Sequence, residues 1–147
     1  MPPATESLAA FIGGFVAAEG CFTGAGTRRF RFSVGLGACD AGMCELMHEQ
    51  FGVGHLVRSA RRKPHYDDEV QFTVQATRDL VEVVVPFMDA HLPPSYKREQ
   101  YLVWRARLLE YWEHGFRRRK RCSVDDCSAP ARAHGYCRKH LWQFRRQ

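Results

Sequence analysis

Four residues near the C-terminus have the types and spacing of metal ligands: Cys122, Cys127, Cys137 and His140, in the order Cys-x4-Cys-x9-Cys-x2-His. Zinc takes four soft or borderline donors in a tetrahedron, delivered as two close pairs. Here one pair is Cys122 and Cys127, on a loop or knuckle, and the other is Cys137 and His140, one helical turn apart. His134 competes for the fourth place but lies inside the intervening loop, so His140 is the expected ligand. A segment of about 25 residues cannot build a hydrophobic core, so one structural zinc per chain would supply the folding energy. Asp125, Pro130 and Gly135 suit the turns between the ligands. A second piece of chemistry sits near the other end of the chain, where Glu19 closes the apolar stretch "FIGGFVAAEG" at residues 11–20.

Each of these groups needs elements to hold it. Thr5, Glu6 and Ser7 offer start signals for a helix through Glu19, apolar from Leu8 to Ala18 and expected to be buried nearly all round. Gly13 and Ala17 lie one turn apart, as do Gly14 and Ala18, and small residues on one helical face let another backbone come close. "CFTGAGTRRFRFSVGLGAC" reads as a β-hairpin turning at Gly24 and Gly26, with Phe30, Phe32, Val34 and Leu36 on one face and Arg29, Arg31 and Ser33 on the other. "DAGMCELMHEQFGVG" has helical spacing, with Asp40 able to cap it and Gly52 ending it. "HLVRSARRK" and "DEVQFTVQA" form a second strand pair around a loop at Pro64, with Gln71, Thr73 and Gln75 opposite Val70, Phe72, Val74 and Ala76. "TRDLVEVVVPFMDAHL" is a third helix, bent or split at Pro86, and residues 97 to about 114 form a fourth, aromatic-rich one. The fold class is α+β: one sheet with a polar, basic face and helices on its other face.

The charge is +6 with a pI near 9.2, and the basic residues cluster in "TRRFRF", "VRSARRK", "FRRRKR" and "CRKHLWQFRR". Basic runs threaded with aromatics suggest a polyanionic partner, most simply nucleic acid, and a solvated basic surface is the plain alternative. Alternating Arg, Gln and Thr on a twisted ribbon can donate to phosphates and read base edges in a major groove, and can equally be an ordinary wet sheet face. The apolar run "LAAFIGGFVAA" is too short to span a bilayer and no basic segment precedes it, so neither a signal peptide nor a membrane helix is read and a cytosolic location is expected. The remaining cysteines, Cys21, Cys39 and Cys44, are scattered and do not suggest a disulfide scaffold. The organisation is a domain over 1–116, a basic linker at 117–121 and the zinc-binding segment 122–147. Arg132, Arg138, Lys139, Arg145 and Arg146 make that segment basic, which favours an added grip on DNA. A purely structural or dimer-stabilising knuckle is the alternative.

"LAAFIGGFVAAEGCF" resembles the signature of LAGLIDADG homing endonucleases. The order of helices and strands over roughly residues 5–112 agrees, and "EQFGVG", "VVVPFMDAHL" and "SYKREQYLVW" resemble segments of that family at corresponding places. The resemblance implies an αββαββα domain whose four-stranded antiparallel sheet lies on double-stranded DNA. Only one signature occurs, which implies a homodimer packed through Ala10, Gly13, Gly14 and Ala17. It implies Mg²⁺ held at Glu19 with the adjoining Gly20, beside a scissile phosphate, with Lys97 stabilising charge or poising water. It implies DNA contacts from Thr23, Arg28, Arg29, Arg31, Ser33, Arg58, Arg61, Gln71, Thr73 and Gln75. Two places depart from the pattern. Ala17 stands where the signature has an earlier acid, and Leu36, Gly37 and Ala38 stand where relatives often place a polar residue near the water. These departures leave a second class of function open, a weakly active or non-cleaving DNA regulator or an RNA splicing maturase. A third class, an interaction module that never touches nucleic acid, would retard no DNA or RNA at low salt.

Overall fold

A computed structural model of the chain describes residues 5–116 and 121–144. The chain divides into two compact units, Met1–Leu109 and Glu110–Gln147. The expected linker at 117–121 lies outside the described residues, apart from Arg121.

In the first unit, helix α1 (Glu6–Glu19) begins where the Thr5 hydroxyl accepts from the Leu8 N–H. It passes directly into β1 (Gly20–Thr23), because Gly20 turns to extended backbone at the helix end. A side chain at Gly20 would meet the Val16 carbonyl oxygen and Cγ1, both at 2.6 Å. Strand β2 (Arg31–Gly37) follows, then α2 (Ala41–Phe51), β3 (His55–Ser59) and β4 (Glu69–Val74). All pairings are antiparallel, in the order β1-β2-β4-β3. Asp40 stands at the N-cap of α2, but its side chain accepts nothing from the helix. Gly52 ends α2 in the left-handed conformation, in keeping with its place in the sequence.

Pro86 splits the third helical stretch, and the structure shows how. Short α3 (Thr77–Asp79) widens into a π turn (Leu80–Val84), where the Val85 N–H reaches back to the Leu80 carbonyl, before α4 (Val85–His91). Proline donates no hydrogen bond and its ring crowds the carbonyl four residues back, so the widened turn opens that contact ahead of Pro86. Helix α5 (Tyr96–Glu110) closes the unit.

The core lies between the sheet and the helices, around Ile12, Val16, Phe32, Val34, Met47, Phe51, Phe72, Leu80, Met88, Tyr101 and Leu108. Tyr101 is fully buried and donates its hydroxyl to Asp89 at 2.7 Å, while Asp89 accepts a two-pronged bond from Arg105. Burial first, and then the Asp89 carboxylate, push the Tyr101 hydroxyl well above its usual range. This network ties α5 to α4. The buried helix α1 expected from its composition differs in one respect: Ala10, Phe11, Gly14 and Ala18 form an open outer face. Among the described residues, no helix is long and apolar enough to cross a membrane.

Candidate nucleic-acid interface and metal sites

The strand registers divide the sheet's residues between its two faces. Phe32, Val34, Val70, Phe72 and Val74 point to the helices. On the other face, Cys21, Ser33, Thr73 and His55 make one cross-strand row. Thr23 pairs with Arg31 on one side of that row, and Gly35, Gln71 and Val57 align on the other. On the other side of Arg31 from Thr23, Gln75, with its amide oxygen turned to Arg31, accepts from Nε at 2.9 Å and Nη2 at 2.8 Å. Thus Thr23, Arg31, Gln71 and Gln75 share the polar face, and Arg28 and Arg29 are exposed in the β1–β2 loop beside it. Arg61 lies in the β3–β4 loop, its N–H bonded to Asp68 Oδ1 at 2.9 Å.

Three expected contacts need correction. Arg58 pairs in register with the buried Val70, on the helix side of the sheet, and its guanidinium binds Glu45 of α2 at 2.9 Å. Strand parity therefore takes Arg58 off the polar face and leaves His55 on it, a residue that sequence reasoning does not single out. Ser33 and Thr73 do lie on that face but are almost fully covered, at 4% and 2% exposure. They are short residues on the two central strands, β2 and β4. The Thr73 hydroxyl has no hydrogen-bond partner among the described residues.

Glu19 is exposed at the last residue of α1. The C-terminal end of a helix carries partial negative charge, so a carboxylate there is disfavoured by about 0.3–1 kcal/mol unless a cation joins it. The last turn of α1 supplies no basic side chain. The Glu19 carboxylate and backbone carbonyls of the kind found beside Gly20 are oxygen donors that a hard divalent cation takes. Lys97 is half-buried in the first turn of α5, below the Ser95 hydroxyl that accepts from the Arg98 N–H. Its spacing puts it on the same helix face as Tyr101 and Trp104. That face packs on β1, with Trp104 Nε1 donating to the Thr23 carbonyl at 2.9 Å and the Tyr101 ring centred 5.1 Å from that of Phe22. Among the described residues, Glu19 and Lys97 form no ion pair with each other.

The proposed dimer residues fall on two faces of α1. Ala10 and Gly14 are exposed, and a side chain at Gly14 would meet nothing within 4 Å. Ala17 is half-covered. Gly13 is corrected: it is buried, and an added Cβ would come within 2.0 Å of the His91 carbonyl oxygen. Its missing side chain serves the packing of α1 on α4 inside one chain.

In the second unit, Cys122, Cys127, Cys137 and His140 come together with their donor atoms all within 4.8 Å of one another. His140 Nδ1 lies 3.2 Å from Cys122 Sγ and 3.5 Å from Cys137 Sγ, and Cys127 Sγ lies 3.9 Å from Cys137 Sγ. A disulfide needs sulfurs about 2.05 Å apart, whereas zinc at about 2.3 Å from each donor sets tetrahedral edges near 3.8 Å. The fit is to a metal. Local folding explains the convergence. Cys127 N–H closes a turn on the Val124 carbonyl, and Cys122 N–H binds the Ala129 carbonyl. His134 and Gly135, both at positive φ, make a two-residue reversal bridged by Ala133 and Tyr136. Helix α6 (Arg138–Phe144) then presents His140 one turn after Cys137. Burial tends to raise the Cys122 thiol, but the N–H groups of Cys137 and Val124 aim at its sulfur, and it is lowered to about 6. Cys127 moves the other way. The Ala129 N–H favours its thiolate, yet burial and the neighbouring sulfurs of Cys137 and Cys122 outweigh it and push the thiol up. Crowded thiolates repel unless a cation sits among them, which zinc would do.

No family model matches the sequence, and no curated protein matches it. Solved structures do. The chain is similar to the meganuclease I-SmaMI bound to uncleavable DNA, with a TM-score of 0.61 and 18% identity over 71% of this chain and 37% of that one. It is similar to the group I intron-encoded homing endonuclease I-CeuI complexed with DNA, with a TM-score of 0.60 and 18% identity over 80% of this chain and 61% of that one. It is also similar to the LAGLIDADG meganuclease I-CpaMI bound to uncleaved DNA, with a TM-score of 0.56 and 21% identity over 72% and 39%. At such identities the likeness is one of fold. The four-stranded antiparallel sheet backed by helices is the LAGLIDADG domain fold, and this chain spans less than two thirds of each of these proteins.

Proposed function

We propose that the protein is a site-specific endonuclease of double-stranded DNA that works as a homodimer and needs a divalent cation, most simply Mg²⁺. One observation carries the reading: a lone carboxylate, Glu19, ends a helix whose outer face is apolar and, apart from Phe11, small, and whose next residue begins the four-stranded sheet. Two copies packed through Ala10, Gly14 and the rim at Ala17 bring two Glu19 carboxylates to one axis, one for each strand of a duplex. Glu19 and the Gly20 backbone would hold the cation, which when bound would supply an activated water and neutralise charge on the leaving oxygen. Water adds to phosphorus as it gives up a proton to solvent, the bond to the leaving oxygen breaks and that oxygen takes a proton from solvent, and Lys97 stabilises the negative charge that builds on the phosphate. Arg31, Gln71 and Gln75 face the groove, with Arg28, Arg29 and Arg61 at its edge.

The test is cleavage of the DNA that flanks the gene, in the presence of Mg²⁺. Glu19→Gln is expected to cut on the order of 10²–10³-fold more slowly, the range for removing one charge-stabilising group, with binding preserved. Cleavage at the wild-type rate sinks the assignment. Ala17 in place of a second acid supports one other reading, a binder on the same scaffold that does not cut DNA, or a maturase that acts on RNA. Salt-sensitive retardation without nicking under any divalent metal selects that reading.

A further inference from the structure

The charge of this protein is unevenly divided. The first 116 residues carry 12 basic and 14 acidic side chains, net −2, and the last 31 carry 10 basic and 2 acidic, net +8. All of the chain's positive excess therefore lies in the run from residue 117 onward. A polyanion is bound chiefly by releasing counterions from its phosphates, and a net-negative domain gains little from that at long range. The zinc-type unit is shaped to present its charge. Arg138 and Lys139 are both exposed, in the first turn of α6 between the ligands Cys137 and His140. Arg138 shares a helical face with Trp142, one turn on and 59% exposed. Together with Leu141 and Gln143 these residues line one open concavity of the surface.

We infer that α6, through Arg138 and Lys139, is a second DNA-binding element, which grips the phosphate backbone of duplex DNA irrespective of sequence. Affinity and sequence reading then reside in different parts of the chain: the tail supplies the electrostatic grip and the sheet reads the bases. The inference shares with the proposed nuclease only the polyanion as partner and does not depend on cleavage. A duplex is favoured over a protein partner because ten cations with two acids in 31 residues match a regular array of phosphates.

The experiment measures binding of the full-length, zinc-loaded protein to a short duplex of random sequence over a range of salt. Arg138→Gln with Lys139→Gln is expected to lower the slope of log K against log salt by about 1.8, at about 0.9 for each phosphate no longer neutralised. Arg138→Lys with Lys139→Arg keeps the charge and is expected to keep the slope. Zinc content and circular dichroism, measured on both variants, separate lost charge from lost folding. An unchanged slope in the folded, neutralised variant overturns the inference. So does a loss confined to single-stranded DNA or RNA, which would assign Trp142 to base stacking instead. Cleavage of the flanking DNA by the neutralised variant with its slope intact leaves the nuclease standing and this inference fallen. A lowered slope in a protein that never cuts upholds this inference and removes the nuclease.

Discussion

Single residues separate roles that the sequence runs together. Gly13 and Gly14 are neighbours of one type, but a helix turns about 100° per residue, which puts one inside and one outside. Gly13→Ala places a methyl against the His91 carbonyl oxygen and is expected to cost several kcal/mol, on the scale of overpacked cores. Gly14→Leu meets nothing in the single chain and gains roughly 1 kcal/mol in helix propensity. It is expected to yield a stable, folded monomer by sedimentation, and a surviving dimer would argue against contact through α1. Tyr101 is a second case. Its proton is held in the folded state beyond its ordinary range, by burial and by Asp89. The unfolded chain thus gives up that proton first, near pH 10, and stability falls as pH climbs past about 10. Tyr101→Phe is expected to lose about 1 kcal/mol below that pH and to show a shallower alkaline decline in denaturant titrations.

Among the elements, legibility follows how strongly one pattern excludes others. The zinc-type ligands are readable because spacing alone pairs them, and the structure brings the same four donors together. The order of helices and strands is readable from apolar periods of two and of three to four. Strand β3 is not. Its five residues, "HLVRS", hold one apolar side chain in each parity, Leu56 and Val57, so nothing local says which way Arg58 points, and only the register with β4 settles it. Pro86 announces a break in its helix but not the π turn ahead of it, since the form of that turn depends on how α4 packs. The second unit makes its own prediction. Its few covered residues include the ligands Cys122 and Cys137 themselves, so one zinc per chain is expected by elemental analysis. A strong chelator is expected to unfold it while the helices and sheet of the first unit keep their circular dichroism and melting temperature. A tail that stays folded after metal removal contradicts the assignment.

At the scale of the whole molecule, a neutral-to-acidic α+β domain is joined to a small cationic segment. The resemblance covers the first of these, and nothing in that likeness says what the second is for. Its charge, not its fold, gives the clue, and charge is the property a sequence states without ambiguity. In the first unit, the row Cys21, Ser33, Thr73 and His55 crosses the middle of the sheet. Its two central members are short and sunk below their neighbours. Under the duplex of the proposed function, these covered hydroxyls would lie too deep for direct bonds, and bridging water would fill the gap. Water adapts its donors and acceptors to whichever base pair it meets. Target sites are therefore expected to tolerate substitution under this row and to be strict under Arg31, Gln75 and Gln71, a footprint of alternating indifference and discrimination.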